Sequence, residues 1–97
     1  MPRHDFSALY GVYPAVIAGM PEVFTSHQFI LEIARQYQGA YIDALCTYRK
    51  RDAPFMTVHS ILAKGLSYRP DLVEALGGIS SKQIFGRPSR CEEWRKL

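Results

Sequence analysis

The sequence predicts an all-α domain, and three observations predict it. Apolar residues recur at helical spacing in the two longest patterned stretches. Helix start and stop signals bracket the shorter stretches, and no segment keeps an apolar–polar alternation of period two. The expected architecture is a small compact bundle of five or six short helices with a helix-turn-helix-like C-terminal half. At 97 residues the chain has the length of a single helical domain, residues 1–97.

Residues 5–20 predict two short helical pieces. Pro14 suits a first helical position and Gly19 the residue just past a helix end. Met20-Pro21 then requires an extended link, because the residue before proline avoids the α region. Thr25 and Gln28 form a T-x-x-Q capping box, and Phe24 and Phe29 flank it as a hydrophobic staple. From Ile30 the apolar positions Ala34, Tyr37, Tyr41, Leu45 and Tyr48 follow at steps of three and four. Gly39 interrupts this face, so residues 26–51 read as two helices, or one sharply kinked helix, meeting at Gln38–Ala40. Arg49, Lys50 and Arg51 complement the negative end of the helix dipole.

Ala53-Pro54 ends that segment, and Thr57 is the expected cap of the next. Val58, Ile61, Leu62, Gly65 and Leu66 trace a buried helix face, on which Gly65 implies close approach of a neighbouring helix. Beyond Arg69, Pro70 opens a helix through Leu72, Val73, Ala75 and Leu76 that stops at Gly77-Gly78. Ser80 with Gln83, and Ser89 with Glu92, read as two further capping boxes. The final helix would carry acids in its first turn and Arg95 and Lys96 in its last, with Cys91 and Trp94 facing the core.

Composition removes several function classes. A chain 47% apolar and 22% charged is too rich in core formers to be disordered. No apolar run reaches the ~18 residues of a membrane span. The start, MPRHDF, has neither an apolar leader core nor a lipidation motif, so a cytoplasmic location is expected. Cys46 and Cys91 stand alone and read as buried, reduced thiols.

The formal charge of +3 divides unevenly, −2 over residues 1–48 and +5 over residues 49–97. Helix C-termini account for part of the positive half. Lys64, Arg69, Lys82, Arg87 and Arg90 remain as candidates for an anionic partner.

Residues 71–85 have the rhythm of a helix-turn-helix: an apolar helix, glycine, an apolar residue, a serine cap and a second short helix. In such a motif the second helix meets base edges and phosphates with its first residues. Ser81, Lys82 and Gln83 would occupy those positions, with Arg87, Arg90, Arg95 and Lys96 on phosphates. The paired glycines make the turn about one residue long, and Gly86 shortens the second helix. A plain packing corner through Leu72, Leu76, Ile79, Ile84 and Phe85 explains the same pattern.

Catalytic templates are missing. His4, His27 and His59 lack metal-ligand spacing, and no phosphate-cradling or nucleophile-elbow motif is present. His27 falls at a surface position in the first turn after Thr25, whereas His59 reads as a partly buried, hydrogen-bonded structural residue. Tyr37, Tyr41 and Tyr48 beside Arg49–Arg51 have the composition of a single-strand platform, but their helical spacing assigns them to packing. The expectation is a non-enzyme without cofactor or metal. Its partner would be duplex DNA; the alternative is a protein-interaction module that binds another protein or itself.

Overall fold

A computed structural model describes residues 4–97. Arg3, counted in the N-terminal charge, and the rest of the start Met1–Arg3, on which the expectation of no leader partly rests, lie outside the described residues. The elements run α1 (Ser7–Tyr10), α2 (Tyr13–Ala18), β1 (Val23–Thr25), α3 (Ser26–Gln36), α4 (Gln38–Thr47), α5 (Pro54–Ser67), β2 (Val73–Lys82) and β3 (Pro88–Lys96). The all-α expectation is therefore wrong. Among the described residues there are five helical segments, but the C-terminal third is an antiparallel hairpin in a sheet of order β1-β3-β2.

The N-terminal two-thirds follow the local signals. Pro14 lies in the first turn of α2, and Gly19 is its C-cap. After the extended link, Thr25 caps α3: Gln28 N–H donates to Thr25 Oγ1 at 3.2 Å, and Thr25 N–H donates to Gln28 Oε1 at 2.8 Å. Phe24 and Phe29 are both buried, with ring centroids 6.2 Å apart. The break between α3 and α4 falls at Tyr37, one residue before the expected junction, and Gly39 sits inside α4. Pro54 opens α5 directly, so Thr57 is not its cap; the Thr57 hydroxyl donates back to the Ala53 carbonyl. Cys46 is exposed and Cys91 half-buried, both free thiols, which corrects their expected burial.

The predicted helix from Pro70, the two serine capping boxes and the final helix are instead a hairpin, with β2 entered at Val73, Gln83–Arg87 as its turn and the final segment as β3. Val73 pairs with Lys96 and Lys82 with Pro88, with a bulge at Ala75–Gly77. Gly77 has φ +116° and Gly86 φ +84°, backbone that favours glycine. These glycines mark a bulge and a hairpin turn rather than helix ends. Alternation is missing because most of β2 is exposed, so neither of its faces needed to be written as apolar.

The sheet joins the helices through Phe24, Val73 and Trp94, which are buried with Phe29, Ile33 and Leu62 in one core. Gly65 of α5 does meet a neighbour, namely the Tyr13 side chain. The Tyr13 hydroxyl donates to the Leu62 carbonyl at 2.6 Å, and a Cβ at position 65 would lie 2.6 Å from that oxygen. Burial also pushes the Tyr13 phenol up from its ordinary pKa.

Gly65→Ala thus sets three magnitudes against one another. Helix propensity gains about 1 kcal/mol, overpacking costs about 1–3 kcal/mol, and displacing the Tyr13 hydrogen bond costs about 1 kcal/mol. The substitution is expected to destabilise by about 1–3 kcal/mol in denaturant unfolding. An unchanged midpoint would contradict the packing described.

Candidate functional site

A cleft of about 800 Å³ separates α5 from the β2–β3 hairpin, with the start of α3 in its floor. This falls within the roughly 300–1,000 Å³ range of ligand-binding clefts. The hairpin leaves the core at Trp94, whose indole N–H donates to Ser26 Oγ at 2.9 Å. Its far end is closed by a turn in which Gln83 N–H donates to the Arg87 carbonyl and Gly86 N–H to the Gln83 carbonyl. That turn comes back onto α5. The Phe85 ring meets Phe55 edge-on at 4.8 Å and stacks over His59 at 6.4 Å.

A column of rings runs from core to surface beneath this contact. Buried Tyr41 stacks on His59 at 5.8 Å, and Tyr41 Oη and His59 Nε2 share a hydrogen bond of 2.6 Å. Burial pushes the Tyr41 phenol up to about 12. Burial, and then the positive charge that His27 can carry, push His59 down to about 4. His27 is also lowered by burial, against the opposing pull of the Ser81 and Lys82 backbone. Its Nδ1 is buried without a hydrogen-bond partner among the described residues. The half-buried, hydrogen-bonded His59 matches its sequence reading, whereas His27 is more enclosed than a surface position.

Cations enter the cleft from two elements, Lys64 from α5 and Arg87 and Arg90 from the hairpin. Among the described residues none of the three makes an ion pair; the pairs are Arg35–Glu32, Arg69–Asp71 and Arg95–Glu74. Gly78 leaves room for Arg90, since a Cβ there would lie 2.8 Å from a guanidinium nitrogen. The acids lining the cleft are Asp52 and Glu92, and the Glu92 carboxylate accepts the Gly77 N–H at 2.9 Å.

Of the residues singled out from sequence, Gln83, Arg87 and Arg90 line the cleft together. No recognition helix presents them; they sit on a hairpin. Ser81 Oγ is 3.4 Å from Thr25 Oγ1, and Lys82 is exposed at the end of β2. Arg95 is occupied by Glu74 at 3.2 Å, and Lys96 Nζ donates to the Ala18 and Met20 carbonyls. Lys64 was visible only as a charge. Phe55, His59 and Phe85 were not seen as a group, because only the tertiary fold brings the hairpin turn onto α5. Tyr41 and Tyr48 are buried, in keeping with their packing assignment.

No group of three or more His, Cys, Asp or Glu close enough to hold a metal ion occurs among the described residues. No helix among them is long and apolar enough to cross a membrane. No protein-family model, curated protein or solved structure matches the chain.

The two histidines make stability pH-dependent. Both bind a proton less readily in the fold than at the ordinary value of 6.5. The unfolded chain therefore takes up protons first, and their contribution, complete above 6.5, is lost as pH falls towards about 4. Urea midpoints measured across that window should fall with pH in the parent chain and fall less in His59→Gln. Equal slopes would contradict the neutral, buried state of His59.

Proposed function

We propose that the chain is a nucleic-acid-binding module that grips the sugar–phosphate backbone in the cleft between α5 and the β2–β3 hairpin. The observation that carries this reading is the convergence of Lys64, Arg87 and Arg90, none ion-paired among the described residues, on one cleft. Of the two acids there, Glu92 is already engaged by a backbone N–H. Phosphate contacts supply most of the affinity of such modules without requiring a sequence code. The free thiols Cys46 and Cys91 suit the reducing cytoplasm, which is part of the same reading.

A second reading, a protein-interaction module binding a partner or itself, rests on Phe55, Met56 and Phe85, which are 44%, 65% and 56% exposed at the cleft mouth. Salt separates the two readings, because apolar docking does not release condensed counterions.

Three phosphate contacts give a slope of log affinity against log salt of about −2 for a single strand and about −2.7 for a duplex. Fluorescence anisotropy with labelled DNA should then show a roughly 20- to 40-fold loss of affinity between 50 and 200 mM salt. Lys64→Ala, Arg87→Ala and Arg90→Ala should each make the slope shallower by about one. Absence of binding at low salt, or binding indifferent to all three substitutions, would overturn the reading.

A further inference from the structure

We infer that the nucleic acid held by this cleft is single-stranded, with its bases stacked on Phe55 and Phe85; the inference rests on the binding function proposed above. The first support is steric. An α-helix with its side chains is about 10–12 Å across and by itself fills a major groove about 12 Å wide. Here the hairpin tip is fastened to the first turn of α5 by the Phe85–Phe55 contact at 4.8 Å. Helix and tip together are broader than the groove, so α5 cannot be laid into a duplex along that turn.

The second support is chemical. Phe55 and Phe85 are 44% and 56% exposed, although each already touches another ring. Solvent-exposed aromatic rings beside cations form the kind of surface on which unpaired bases stack, while the backbone follows the charges. Lys64 reaches the cleft from α5, and Arg87 and Arg90 reach it from the hairpin. In a duplex the base faces are already stacked on one another, and these rings would find nothing to cover them.

The test uses the full chain and anisotropy at low salt, with labelled dT12 against a 12-base-pair duplex. The single strand should bind at least tenfold more tightly. Phe85→Ala and Phe85→Leu should each weaken dT12 binding by roughly tenfold and leave duplex affinity within twofold, whereas Phe85→Trp should retain it. Leucine preserves apolar bulk at the tip, so a loss in both variants reports stacking rather than a loosened hairpin. Lys64→Ala should weaken both ligands alike.

Equal or tighter duplex binding, with Phe85→Leu neutral, would overturn the inference while leaving nucleic-acid binding intact. Absence of binding to either DNA at low salt would overturn both. So would a concentration-dependent dimer in light scattering that Phe85→Ala abolishes, with no dT12 bound by parent or variant.

Discussion

The seating of Trp94 is the interaction on which the rest of the structure depends. Trp94 lies in the central strand, opposite Phe24 on one side and Ala75 on the other. Its indole N–H ends on Ser26 Oγ, and that hydroxyl in turn donates to the Glu92 carbonyl at 3.3 Å. One small, buried polar network thus ties β3 to the first residue of α3. Leaving any of these groups unpaired would cost more than the bond itself contributes. Because Thr25 caps that helix one residue earlier, the helix start and the hairpin base form one unit.

From that base the hairpin extends into solvent, and a two-stranded ribbon is only marginally stable alone. The fold holds it at a second point, the tip, where Phe85 rests on Phe55 and His59. His59 is in turn held by buried Tyr41. The hairpin is therefore fixed at its base and its tip, with Ser81 also meeting Thr25 at the start of α3, and the cleft lies between it and α5. Gly77 supplies the bulge, and Gly78 leaves space for the Arg90 side chain. Paired glycines that resemble a helix stop serve to shape the wall of the cleft.

Legibility in the sequence divides along the same line. The α3 capping box, the Phe24–Phe29 staple and the buried stripe of α5 were readable, because each is a local contact within a few residues. The hairpin was not. Its β2 strand is mostly exposed, so it carries no alternation, and Ser80–Gln83 and Ser89–Glu92 imitate capping boxes by spacing alone. Whether a serine caps a helix or sits in a strand is decided by pairing across the chain, which local spacing does not contain. The C-terminal charge excess was readable as a quantity. Its division was not, since Arg95 and Lys96 are absorbed by Glu74 and by backbone carbonyls. Arg87 and Arg90 are left for the cleft, where Lys64 joins them only through the tertiary fold.

We propose that the face between α5 and the hairpin is a nucleic-acid surface, shaped by the hairpin's anchorage at base and tip. Amide chemical-shift mapping during titration with a short single-stranded oligonucleotide tests it most directly. Shifts should concentrate at Phe55, Lys64, Phe85, Arg87 and Arg90, while α1, α2 and the Glu74–Arg95 pair stay unmoved. Shifts centred on that pair or on the α1–α2 surface, with the cleft silent, would contradict the account.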